Sequence, residues 1–150
     1  GDKMSLMETM NIGEKSLQAH GARIKIHAKN IANLDTPNYV RKIPVLNATD
    51  DISFHGLLNS MKEDVFGVGT IPFQQGGVRL TGVVEDPSLG ERIYKPGHPD
   101  ADANGYIRTS NVNPIVDIAD ANIAQRAYEA NLAVINITKS MAQRAVEIGK

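Results

Sequence analysis

The residues best suited to chemistry in this chain lie between His98 and Asn111, in the stretch HPDADANGYIRTSN. Asp100-x-Asp102-x-Asn104-Gly105 places oxygen donors at the first, third and fifth positions and a turn glycine at the sixth, as the opening half of a calcium loop between two helices does. The second half fails: position 9 is Arg108, and position 12, where a bidentate glutamate closes the coordination shell, is Asn111. Pro96, Gly97 and Pro99 also forbid the entering helix. Asp100, Asp102 and Asn104 are thus a metal candidate in outline only, and the expected assignment is no metal and no cofactor. The same letters describe a turn in which Asp and Asn side chains bond to nearby backbone while Gly105 takes positive φ.

Other chemistry is sparse. His20 and His27 are seven apart on one helical face, about 10 Å, too far to share an ion without outside help, and they read as polar positions in a helix interface. His98 stands beside Asp100 and Asp102 with no further ligand near in sequence. There is no cysteine, which removes disulfides, thiol nucleophiles and thiolate metal sites together. No G-x-S-x-G, P-loop or H-E-x-x-H pattern occurs, and Gly76-Gly77-Val-Arg-Leu-Thr-Gly82 has neither P-loop nor dinucleotide spacing. The chain is expected not to be an enzyme.

The 150 residues suffice for one ordinary core, and the formal net charge of −1 argues against nucleic acid. Residues 1–42 carry seven Lys/Arg against four Asp/Glu, residues 43–110 five against nine, and residues 111–150 four of each. No apolar run is long enough to span a membrane, and the first 20 residues lack the apolar centre of a signal peptide. Residues 1–4, Gly-Asp-Lys-Met, read as an expression remnant.

The elements that must position these residues fall into three parts. From Met7 to Asn33 there is no proline, and Met10, Leu17, Ile24 and Ile31 repeat every seven residues, with Gly13, His20, His27 and Leu34 three places after each. Large residues alternating with small or polar ones make a heptad seam on a long helix. From Asn113 to Ile148 a stronger pattern runs through Val116, Ala119, Ile123, Ala127, Ala130, Val134, Ile137, Met141, Ala145 and Ile148. Pro114 suits its first turn and Gly149 its end. A second apolar set, Ile115, Ile118, Leu132, Ile135 and Val146, lies off that seam, so this helix calls for more neighbours than one partner. Between the helices, Tyr39–Leu46, Val78–Val84, Arg92–Lys95 and Tyr106–Thr109 read as short strands among turn residues. Ser53–Phe66 reads as a short helix or a loop. Helix 1 is expected to stop near Asn33, with Thr36-Pro37-Asn38-Tyr39 forming a type I or II turn. The fold class is α+β: long terminal helices form a coiled-coil layer and bracket a small Gly-rich, mainly β insert. The parts are 5–38 (helix and turn), 39–110 (insert) and 111–150 (helix).

Three motifs in order resemble those of bacterial flagellar rod and hook axial proteins. Asn30-Ile31-Ala32-Asn33…Thr36-Pro37-Asn38-Tyr39 is similar to their N-terminal signature, with Asn38 in place of the usual glycine. Tyr94-x-Pro96-Gly97-His98-Pro99-Asp100-Ala-Asp102…Gly105-Tyr106 resembles the mark of the short proximal-rod branch. Ser110-Asn111-Val112-Asn113, then Arg126-Ala127-Tyr128-Glu-Ala-Asn131, resembles the signature ahead of the last helix, with Ser110 where that branch usually has proline. The resemblance covers nearly the whole chain from Met7. It implies a structural subunit whose terminal helices pair and polymerise into a helical tube that transmits torque, together with copies and other rod proteins. It further implies passage through the flagellar type III export apparatus without a cleavable signal peptide, and residence in the periplasm-spanning basal body without membrane insertion. The residues expected to make the subunit contacts are Met10, Leu17, Ile24, Ile31, Val116, Ile123, Ala127, Ala130, Val134, Ile137, Met141 and Ile148.

Overall fold

A computed structural model of the chain describes residues 2–48 and 77–149; the expected Ser53–Phe66 element lies outside them. Helix α1, Asp2–Ala32, is followed by strands β1, Lys42–Ala48, β2, Val78–Glu85, β3, Arg92–Tyr94, and β4, Tyr106–Arg108, and then by helix α2, Pro114–Ile148. At 1.5 Å per residue the helices are about 46 and 52 Å long. The α+β class is as read from the sequence. All four strands fall where alternation and turn residues indicated, with ends displaced by one to three residues.

Local chemistry sets the helix ends. Asn113 caps α2, its Oδ1 accepting from the backbone of Ile115 at 3.2 Å, and Pro114 occupies the first position, where a missing N–H costs nothing. The Gly149 N–H bonds back to the Ala145 carbonyl at 3.1 Å. Helix α1 closes when the Asn33 N–H is shared between the Lys29 and Asn30 carbonyls. The left-handed residue is Asn38, at φ 62°. With the Tyr39 N–H on the Thr36 carbonyl at 3.2 Å, this makes the turn type II, which needs positive φ at its third residue. Asparagine fills the glycine position because its short polar side chain tolerates that region.

The described residues gather into two compact units, 2–21 with 46–48, 77–81 and 125–149, and 22–45 with 82–124. In the first, Gly13, Ser16, Ala19 and His20 of α1 are buried, as are Val134, Ile135 and Thr138 of α2. The Ser16 hydroxyl accepts the N–H of Val78, the first residue of β2, at 2.9 Å.

In the second unit β3 and β4 pair antiparallel, with Ile93 opposite Ile107. Tyr94 and Tyr106 meet edge to face at 5.2 Å, and the Arg92 guanidinium lies 4.5 Å above the Tyr106 ring. Gly105, at φ +83°, sits where a Cβ would come within 2.9 Å of the Tyr94 ring. Gly90 is more constrained: a Cβ there would fall 1.8 Å from the Thr109 carbonyl oxygen.

Within the chain, the line that α1 buries is Gly13, Ser16, His20, His27 and Asn30, while Met10, Leu17, Ile24 and Ile31 are half-buried beside it. On α2 the buried positions include Asp117, Ala124 and Thr138, at steps of seven and fourteen, with half-buried Asn131 completing the heptad line.

Candidate functional site

The second unit contains a polar cluster with little access to solvent, built from both helices and the segment between them. The last turns of α1 supply His27 and Asn30, one helical turn apart on the same face. The type II turn then carries the chain back so that Tyr39, Arg41 and Lys42 pass beside that face. Asp117 enters from the first turn of α2, where the helix dipole favours a carboxylate.

Asn30 and Asp117 are both 0 % exposed and His27 2 %. Asp117 Oδ1 accepts from His27 Nδ1 at 2.9 Å and from Asn30 Nδ2 at 3.0 Å, and its Oδ2 accepts from Arg41 Nε at 3.0 Å. Asn30 Nδ2 also donates to the Lys42 carbonyl at 2.8 Å, while its Oδ1 accepts from the Lys42 N–H at 3.0 Å and the Tyr39 hydroxyl at 2.9 Å. Two donors and two lone pairs are thus all engaged, which is the full capacity of an amide side chain. Arg41 reaches Asp86 at 3.3 Å and Asp120 at 3.6 Å. Its backbone N–H donates to Asn111 Oδ1 at 2.6 Å, and Asn111 Nδ2 donates to the carbonyls of Asp86 and Ser88. The Ser110 hydroxyl donates to the Leu34 carbonyl.

The electrostatics are self-consistent. Burial pushes the Asp117 carboxyl upward, but the bonds from His27, Asn30 and Arg41 outweigh it and leave its pKa below the ordinary value. Asp86 is lowered chiefly by the hydroxyl and N–H of Ser88, then by Arg41. Arg41 is held above its usual pKa: its partners Asp117 and Asp86 exceed the cost of burial. A buried charge in such a site is tolerable only because it is paired and its remaining hydrogen-bonding capacity is satisfied. The arrangement holds chain segments together.

The signature residues divide accordingly. Asn30, Tyr39 and Asn111 are inside the cluster. Asn33 and Thr36 bond to each other at 3.1 Å in the turn, and Pro37 is half-buried there, as is Ile31 on α1, whereas Ala32 is exposed. Val112 is buried, Asn113 is the α2 cap, and Asn131 bonds to the Ala127 carbonyl. Tyr128 lies 3.5 Å from the Cβ position of Gly21 in the first unit, and Arg126 is exposed. Pro96, Gly97 and Pro99 lie exposed in the β3–β4 connection, and His98 is half-buried.

The outlined calcium loop is a side-chain-to-backbone turn. Asp102 Oδ1 accepts from the backbone of Asn104 and of Tyr106, both at 2.9 Å, and these bonds hold its pKa below the usual carboxylate value. Asp100 points its N–H at His98 Nδ1, 3.1 Å away. Among the described residues no group of three or more His, Asp or Glu is placed to hold a metal.

The positions expected to make subunit contacts are spread over both helices. Val116, Ile123, Met141 and Ile148 are exposed, Ala127, Ala130 and Ile137 half-buried, and Val134 buried. Sequence reading did not single out Arg41, Lys42, Asp86 or Asp117. A signal for Asp117 existed: with Ala124, Asn131 and Thr138 it repeats every seven residues, a small-and-polar line answering Gly13, His20 and His27.

Residues 103–148 match the family described as flagellar basal body rod FlgEFG protein, C-terminal. Over 98 % of its length the chain is similar to the flagellar basal-body rod proteins FlgC of Bacillus subtilis, at 32 % identity, Yersinia enterocolitica, at 32 %, and Salmonella typhimurium, at 31 %, each covered in full.

Proposed function

The chain belongs to the family of the flagellar basal-body rod protein FlgC, structural subunits of the rod, and from that premise we propose that it polymerises through its terminal helices with copies of itself and with other rod proteins. The observation that carries this reading is the unpaired surface of α2. Ile115 is 78 % exposed, Ile123 55 % and Ile148 86 %, and Ile118, Leu132, Met141 and Val146 are also exposed. Each large apolar side chain withdrawn from water on assembly contributes roughly 1.5–3 kcal/mol, so neighbours on more than one face of α2 complete the burial begun within the chain. The contact set is Met10, Leu17, Ile24 and Ile31 of α1 with Val116, Ile123, Ala127, Ala130, Ile137, Met141 and Ile148 of α2; Val134, expected to join them, is already buried within the chain.

The assembly is a helical tube that transmits torque across the periplasm. The subunit reaches it through the flagellar type III export apparatus and takes a place in the proximal rod. No helix among the described residues is long and apolar enough to cross a membrane, in keeping with a subunit that does not insert. It catalyses no reaction. Cysteines placed singly along these two helices should give cross-links between neighbouring subunits in isolated basal bodies. An Ile123→Glu/Leu132→Glu chain should keep its fold yet fail to enter rods. Normal rods built from that variant would overturn the reading.

A further inference from the structure

Asn104-Gly105 is the one Asn-Gly pair in the sequence, and it lies in the exposed connection between β3 and β4. Asparagine before glycine carries its own reaction: the glycine nitrogen attacks the side-chain amide carbon, with no Cβ on the second residue to obstruct it. A bond forms between Gly105 N and Asn104 Cγ, the nitrogen's proton passes to solvent, and the side-chain nitrogen leaves as ammonia. Water then opens the cyclic imide on one side or the other, giving aspartate or isoaspartate. The side-chain amide of Asn104 makes no hydrogen bond among the described residues, its backbone N–H alone being held.

The geometry around the pair opposes this reaction. The Gly105 N–H donates to the Asp102 carbonyl at 3.0 Å, which closes a turn over residues 102–105. Asn38 is the one non-glycine residue with positive φ among the described residues. Asn104 therefore has negative φ and the turn is type I, with ψ of about 0° at its third residue. At that ψ the Gly105 nitrogen stands over the backbone nitrogen of Asn104, turned away from Cβ and from the amide carbon. Ring closure needs a rotation that breaks the turn. Asp102 resists it: Oδ1 accepts from the N–H groups of Asn104 and Tyr106, both at 2.9 Å, and its own N–H donates to the Tyr106 carbonyl at 2.9 Å. Gly105 is itself buried, with Tyr94 and Pro96 packed over it and its carbonyl accepting from the Lys95 N–H at 2.9 Å.

From this we propose that Asn104 is a site of spontaneous deamidation and that Asp102 restrains it by holding the turn closed. Water is the only co-reactant, and neither step calls on a partner, so the site is independent of rod assembly. The product adds a carboxylate beside Asp102, and isoaspartate also lengthens the backbone inside a connection closed by the Lys95–Gly105 bond.

Peptide mapping by mass spectrometry can follow aspartate and isoaspartate at position 104 in the full chain and in a synthetic peptide of residues 98–109, both held in mildly alkaline buffer. The chain should convert at least about tenfold more slowly than the peptide, since several hydrogen bonds keep the turn shut. Asp102→Ala should convert about tenfold faster than the parent with its helix content by circular dichroism unchanged. Asp102→Asn, which keeps the accepting oxygen, should stay close to the parent. Asn30→Leu, which weakens the buried polar cluster and leaves this turn intact, should not change the rate. Equal rates in chain and peptide would sink the proposal, as would an unchanged rate or lost helix content in Asp102→Ala. So would an Asp102→Asn chain as fast as the alanine variant, or an equal acceleration in Asn30→Leu, because general unfolding and not the turn would then control the reaction.

Discussion

Asn30 Nδ2 lies 3.0 Å from Asp117 Oδ1 across 87 residues of sequence, and both side chains are withdrawn from water. This bond ties the N-terminal signature to the start of the final helix. The asparagine's other three bonds, to Lys42 and Tyr39, bring the return segment to the same point. Removing Asn30 leaves several buried groups unpaired, each costing about 1–3 kcal/mol where water cannot enter. Asn30→Leu should therefore destabilise the chain by about 2–4 kcal/mol, read as a lower urea midpoint.

Acid should loosen this cluster. The pKa values of Asp117 and Asp86 are below their ordinary values in the folded chain, so over the window between folded and unfolded values the unfolded state binds more protons. Stability then rises with pH in that window. It is fully present above the unfolded carboxylate value of about 4 and is lost as pH falls through the lowered folded values. Urea midpoints measured from pH 2.5 to 7 should trace this limb, and Asp117→Asn should flatten it.

Two glycines should respond in opposite ways to alanine. At Gly90 the new methyl would collide with the Thr109 carbonyl at 1.8 Å, and its relief would disturb the bonds joining Glu91 and Thr109. A loss of about 3 kcal/mol or more is expected, the upper end for overpacking. At Gly21 the methyl meets the Tyr128 ring at an ordinary 3.5 Å, so the helix gains about 0.8–1 kcal/mol. Thermal unfolding of the two variants should move the midpoint down and up respectively.

Asp102 stabilises its turn through backbone bonds. Asp102→Ala should lower the melting temperature of the chain, and millimolar calcium should change neither the parent midpoint nor the variant's. A calcium-dependent rise in the parent that the substitution abolishes would restore the ion-binding reading of that loop.

The sequence by itself determined the elements. Proline-free heptads specify two helices, Asn113-Pro114 starts the second, and alternation between turn residues marks β1 to β4, because these choices depend on neighbours within a few residues. It also displayed the family motifs without their reason. Tertiary structure decided which face of each helix goes inside. The periodicity of Met10, Leu17, Ile24 and Ile31 shows that an apolar stripe exists, but not whether that stripe or the smaller line beside it meets this chain's own partner. It decided the polar cluster too: His27, Asn30, Arg41 and Asp117 are ordinary surface letters until a type II turn at Asn38 brings segments up to 90 residues apart within 3 Å. Hydrogen bonds act only at that range and local sequence does not encode long-range proximity, so the arrangement that holds the helix ends together had to be found in three dimensions.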